Sequence, residues 1–178
     1  MDLLARIPVE VTVALIGGTA SLIAFALTAL FASVKDRDNR RRDTYARAFQ
    51  SIAAYKEFPY VVRRRRGGDL SVAADERARI SEDLRKVQED LSYFSAWMGT
   101  ESPRVAASYR GLVAETRRVA GQQIHTAWSE APIADDNGMN MPDLGLSELQ
   151  PWEQAFLSAA SDHVSIAPWR RWKPGARG

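Results

Sequence analysis

The chain has 178 residues, 26% of them charged and 46% hydrophobic, and a formal net charge of +2. So even a balance offers no global electrostatic case for nucleic acid. With no cysteine, disulfides, thiolate catalysis and cysteine-ligated metal are excluded, which suits a reducing compartment.

Residues 1–10 form a short N-terminal tail with one arginine, Arg6, against Asp2 and Glu10. Residues 11–34 are an uncharged, apolar run. About 20 such residues span a bilayer core as helix, so the run is expected to be a transmembrane helix. A cleavable signal peptide fits less well, because its apolar core is only about 7–15 residues long and its basic residues come first. Here the cations follow: Lys35, Arg37, Arg40, Arg41, Arg42 and Arg47. Lys and Arg beside a span stay cytoplasmic. The expectation is a single-pass protein of the plasma (inner) membrane, with the bulk of the chain cytoplasmic.

The helix has no obvious stop at Val34. Tyr45, Phe49 and Ile52 continue an apolar stripe at helical spacing. One long helix is expected from Val9 to about Lys56, with a kink at Asp36 as the alternative. Pro59 is the first hard stop, since it disfavours helix at Phe58. A turn region over 57–69 follows, with Arg63, Arg64, Arg65 and Arg66 in succession and then Gly67-Gly68.

Residues 71–98 carry the clearest soluble pattern. Ile80, Leu84, Val87, Leu91, Phe94 and Met98 alternate steps of four and three, a coiled-coil-like heptad seam. Acidic pairs recur beside it, and Asp75→Arg79 and Glu82→Lys86 are favourable i,i+4 pairs. Gly99 is expected to end this helix. Ser102-Pro103 supplies an N-cap with proline at the first helical position. The next helix, 103–130, has Val105, Tyr109, Leu112, Thr116 and Val119 on one seam, with Val113 beside it. A link this short makes the two an antiparallel hairpin.

Pro132 closes the second arm. Residues 132–147 are rich in Pro, Gly, Asp and Asn and read as a loop. A last helix within 148–166 carries Trp152, Phe156, Ala159 and His163 on one side, and a tail, 167–178, follows. The expected fold is all-α: a transmembrane helix continuing into a cytoplasmic helical bundle built on a long antiparallel hairpin.

Three features are candidate interaction sites. Gly17, Ser21, Ala24 and Thr28 share one side of the apolar helix, the small-xxx-small spacing that lets two membrane helices approach; the bland alternative is ordinary membrane-helix composition. Arg63 to Arg66 could bind a partner's acidic groups, phosphates or anionic lipid, or pair internally with the ridge Glu76, Asp83 and Asp90. A straight helix to Tyr55 rises about 30 Å past the membrane, several screening lengths, which argues against lipid. Trp169, Arg170, Arg171 and Trp172 have the composition of an interface anchor or of a binding hot spot; the alternative is a tail folded back on the bundle.

The catalytic inventory is thin. His125 and His163 are the only histidines, and a lone helical histidine is usually a packing or surface residue. Asp135-Asp136-Asn137-Gly138 lacks the ligand spacing of a calcium loop and is better read as a turn. No phosphate-loop, dinucleotide, nucleophile-elbow or zinc-protease motif occurs. The reading is a membrane-anchored binding, scaffold or regulatory module with no cofactor or metal, acting on a protein partner or a second copy. The alternatives are a tethered nucleic-acid module, disfavoured by the charge balance, and an enzyme with a site at the 132–147 loop.

Overall fold

The computed structural model describes residues 9–133, 138, 141 and 144–164, with side chains from Lys35 onward. Among them the chain is all-α. Its elements are α1 (Val9–Arg63), α2 (Leu70–Glu101), α3 (Pro103–Ser129), a 3-10 helix (Leu146–Leu149) and α4 (Gln150–Val164). The chain divides into two units, Met1–Arg41 and Arg42–Gly178.

In the first unit the backbone is helical from Val9, and Asp38 pairs with Arg41 at 3.7 Å. Side chains of the apolar run, Gly17, Ser21, Ala24 and Thr28 included, lie outside the described residues. Among the described residues no helix is long and apolar enough to cross a membrane.

The second unit is a helical bundle with α3 at its centre. This helix packs against α2, α4 and the 3-10 helix, and its buried Tyr109 donates a hydrogen bond to the Ala48 carbonyl of α1 at 3.3 Å. Three sequence stripes meet there. On α1, Tyr45, Ala48, Ile52, Tyr55 and Val62 are buried at steps of three, four and seven, and Phe49 sits half-buried beside them. On α3 the whole expected seam is buried. On α2, Ile80, Leu91, Phe94 and Met98 are buried, whereas Leu84 and Val87 are only partly covered. Each fully buried side chain of this size contributes about 1.5–3 kcal/mol relative to exposure.

Two helix ends differ from the sequence expectation. Helix α1 does not stop before Pro59 but carries it inside and runs on to Arg63. An interior proline costs about 3 kcal/mol or more. Here the turn that contains it buries Phe58, Pro59 and Val62, and that burial offsets the lost bond. Helix α2 likewise passes through Gly99 to Glu101. Its end is set by Ser102, which terminates one helix and starts the next. The Ser102 N–H donates to the Met98 carbonyl at 3.1 Å, while its Oγ accepts from the Val105 N–H at 3.4 Å.

The fourth helix completes the core through Phe156, Ala159, Ala160 and Val164. It is tied to α1 by Lys56 and Glu153, which meet at 2.7 Å in a mostly buried pair. Trp152 does not join the buried row and remains 43% exposed. Its ring lies over Gly111 of α3, where an added Cβ would meet the ring at 2.9 Å. The 3-10 helix is entered through Gly145 at φ +79°, a left-handed conformation that glycine adopts without steric cost.

Candidate functional site

The four consecutive arginines separate into different roles once the chain folds. Arg65 turns inward at the point where α1 and α3 both end. Its guanidinium donates to the Val62 carbonyl at 2.8 Å, the Ala127 carbonyl at 2.9 Å and the Glu130 carbonyl at 2.5 Å. The last carbonyls of a helix have no intrahelical partner and carry the negative end of its dipole, so one planar cation closes two helix ends at once. The same guanidinium lies 5.2 Å from the Trp128 ring centroid. Burial, with Arg63 and Arg77 nearby, pulls the Arg65 pKa below the ordinary arginine value. Arg63 donates to the Ala131 carbonyl at 3.1 Å and pairs with the Glu130 carboxylate. Its own carbonyl accepts from the Ile133 N–H at 2.9 Å. Arg64 lies over the Tyr60 ring, 5.9 Å from its centroid. Arg66 is exposed, and its backbone and its charge both help to hold the Glu76 carboxyl below the usual glutamate range.

A second cluster forms at the other end of the second unit. Tyr45 of α1 sits edge-on to Trp97 of α2, with centroids 5.7 Å apart, and to Phe156 of α4 at 6.3 Å. Phe156 in turn meets Tyr109 of α3 at 5.2 Å. All four helices contribute to this aromatic centre. The Tyr45 hydroxyl and His163 Nδ1 are 2.7 Å apart. Beside them a groove of about 620 Å³ opens between α1 and α4, walled by Tyr45, Phe49, Leu157, Ala160 and Val164, with Arg42 at the rim.

A smaller cavity of about 260 Å³ gathers Ser102, Arg104, Asp162 and His163. A hydroxyl, an imidazole and a carboxylate in one cavity are the parts of a nucleophilic site, but their hydrogen bonds lead elsewhere. Ser102 caps α3, Asp162 pairs with Arg104 at 3.3 Å, and His163 Nδ1 meets Tyr45. His125 is exposed on α3. Among the described residues no group of three or more His, Cys, Asp or Glu side chains could hold a metal ion.

The outer face of α2 is a lattice of short-range ion pairs. Arg79 bonds Glu76 and Asp83, Arg85 bonds Glu82 and Glu89, and Lys86 bonds Asp83. Hydrogen bonds from Arg79 and Arg85 hold the Glu76 and Glu82 carboxyls below the usual glutamate range. Basic side chains on this helix are interleaved with acids rather than arrayed in a stripe.

Of the expected site residues, Arg63 and Arg65 are thus brought to the end of α3, while Arg64 and Arg66 are not. Trp169, Arg170, Arg171 and Trp172 lie outside the described residues, as do Asp135, Asp136 and Asn137. The Tyr45–His163 contact had no sequence signal, because its partners are 118 positions apart. In comparisons with protein families, curated proteins and solved structures, nothing matches the chain.

Proposed function

We propose that this protein is held in the plasma (inner) membrane by residues 11–34 and acts on the cytoplasmic side as a binding, scaffold or regulatory module. The observation that carries the reading is the uncharged run itself. It falls in a segment whose backbone is helical, and it is followed within eight positions by Lys35, Arg37, Arg40, Arg41 and Arg42. Such a run is long enough to span, and the following cations set the orientation. A binding role is supported by how the chemically able groups are used. Ser102 and Arg65 terminate helices, Asp162 is paired with arginine, and His163 meets a tyrosine. The partner is a protein or a second copy, the latter through Gly17, Ser21, Ala24 and Thr28. The interleaved charge on α2 gives little support to a nucleic-acid module, which binds through clustered cations.

The test is membrane extraction with topology mapping. The full chain should resist alkaline carbonate and dissolve only in detergent. In sealed spheroplasts, external protease should leave an epitope after Gly178 intact until the membrane is permeabilised. Release by carbonate would remove the anchor, and cleavage in intact spheroplasts would invert the topology.

A further inference from the structure

We propose that the cleft between α1 and α2 is a binding site for a small organic cation, a protonated amine carrying an apolar group, with Asp90 as the residue that holds the charge. The cleft has a volume of about 400 Å³, within the roughly 300–1,000 Å³ of small-molecule sites. Val87 and Phe94 of α2 and Ala54 of α1 give it an apolar wall, and Gln50 of α1 and Asp90 of α2 bring polar groups to it.

Asp90 is the uncommitted charge. Its neighbours on α2 are engaged: Glu82 and Glu89 bond Arg85, and Asp83 bonds Arg79 and Lys86. Asp90 makes no hydrogen bond or ion pair among the described residues. Its charge is nonetheless felt in the core. After burial, it is the next cause that holds the Tyr109 phenol of α3 above the usual tyrosine range. The cation that shares the cleft is already taken. Arg47 pairs with Asp43, one turn earlier, at 3.0 Å, and an acid N-terminal to a base is the favourable order on a helix. Ser51 uses its hydroxyl on the Arg47 carbonyl. With Arg47 neutralised by Asp43, Asp90 leaves a net negative charge beside an apolar wall.

That combination selects an amine. An ammonium group has three donors and no acceptor, enough to reach both the Asp90 carboxylate and the Gln50 side-chain carbonyl, while its apolar body covers Val87 and Phe94. An anion would be repelled by Asp90. A neutral apolar molecule would cover the carboxylate without supplying a counter-charge, which is costly. Every residue named lies in the second unit, so the inference does not depend on the membrane reading.

The probe is phenethylamine, titrated into the full chain in detergent by calorimetry, with hydrocinnamate and phenethyl alcohol as its anionic and neutral counterparts. Phenethylamine should bind saturably with a dissociation constant of about 1 mM or tighter, the scale for so small a ligand, and the counterparts should not. Asp90→Asn, at an exposed position where the melting midpoint reports that the fold is kept, should weaken binding at least tenfold through loss of the charge-assisted bond. Val87→Trp, which fills the cleft and leaves Asp90 in place, should abolish it. Arg47→Gln should leave it unchanged or tighten it. Heat that never saturates, or that Asp90→Asn leaves unaltered, is partition into micelles and would overturn the site. Binding of hydrocinnamate, or loss of binding in Arg47→Gln, would make Arg47 the anchor and overturn the choice of a cation.

Discussion

Replacing Arg65 by methionine keeps the aliphatic stem and removes the guanidinium. The Ala127 and Glu130 carbonyls then lose their guanidinium donor, the Val62 carbonyl keeps only the Arg65 N–H at 3.3 Å, and Trp128 loses the cation over its ring. Hydrogen bonds to a charged group contribute about 1.5–3 kcal/mol each when desolvated. Arg65 is half-buried, and water can reach carbonyls at an open helix end, so the sum is discounted to about 2–3 kcal/mol. At about 2–4 °C per kcal/mol for a chain of this size, the melting temperature should fall by about 5–10 °C. The assay is thermal unfolding of the full chain in detergent, followed by circular dichroism and by tryptophan emission. Arg65→Lys should recover less than half of the loss, because a point charge cannot bond three carbonyls in a plane. Arg66→Met should shift the midpoint far less, since Arg66 is exposed and its charge is the last-ranked influence on Glu76. Equal shifts for the Arg65 and Arg66 variants, or none for Arg65, would refute the clamp.

Thr116 is fully buried and its Oγ1 has no hydrogen-bond partner among the described residues, so Thr116→Val should stabilise the fold by about 1–3 kcal/mol in denaturant titration, the cost of an unsatisfied buried group. Gly111→Ala should lower stability while Trp152 is present, because the new methyl meets the ring at 2.9 Å. In a Trp152→Ala background the same change should raise stability by about 0.8–1 kcal/mol, the helix-propensity gain. Glu76 and Glu82 have depressed pKa values, so their ion pairs stabilise α2 fully above the unfolded glutamate value of about 4.3. That contribution should fade as pH falls through the folded values, and high salt at neutral pH should mimic part of it. A melting midpoint that does not move between pH 6 and pH 3 would contradict these pairs.

Much of the bundle was legible because its stripes obey helical periods over long stretches. The α3 seam from Val105 to Val119 is buried throughout, and the α2 seam is followed at Ile80, Leu91, Phe94 and Met98. Leu84 and Val87 are covered less than spacing alone suggests. Val87 borders a cleft of about 400 Å³ shared with Arg47, Gln50 and Asp90, and a heptad pattern does not say how closely a third helix will approach. Pro59 misled because propensity is local, whereas burial of Phe58 and Val62 is tertiary. The roles within the arginine run were invisible for a similar reason. Four identical neighbours differ only in where the end of α3 lies, and that end is set some sixty positions later. Trp152 falls on the same side of the last helix as Phe156 yet stays 43% exposed. The missing side chain at Gly111 gave its ring another resting place.

Ser102 is a joint of a single residue, at once the final cap of α2 and the first cap of α3. The hairpin therefore has no slack, and the rotational phase of one arm dictates that of the other. One residue added to or removed from the joint would turn the α3 seam by about 100°, carrying Tyr109 and Leu112 away from the core and bringing polar neighbours in. Length changes at this point should be tolerated only in steps close to a whole turn, about three or four residues. The corner between α2 and α3 thus counts residues as a gear counts teeth.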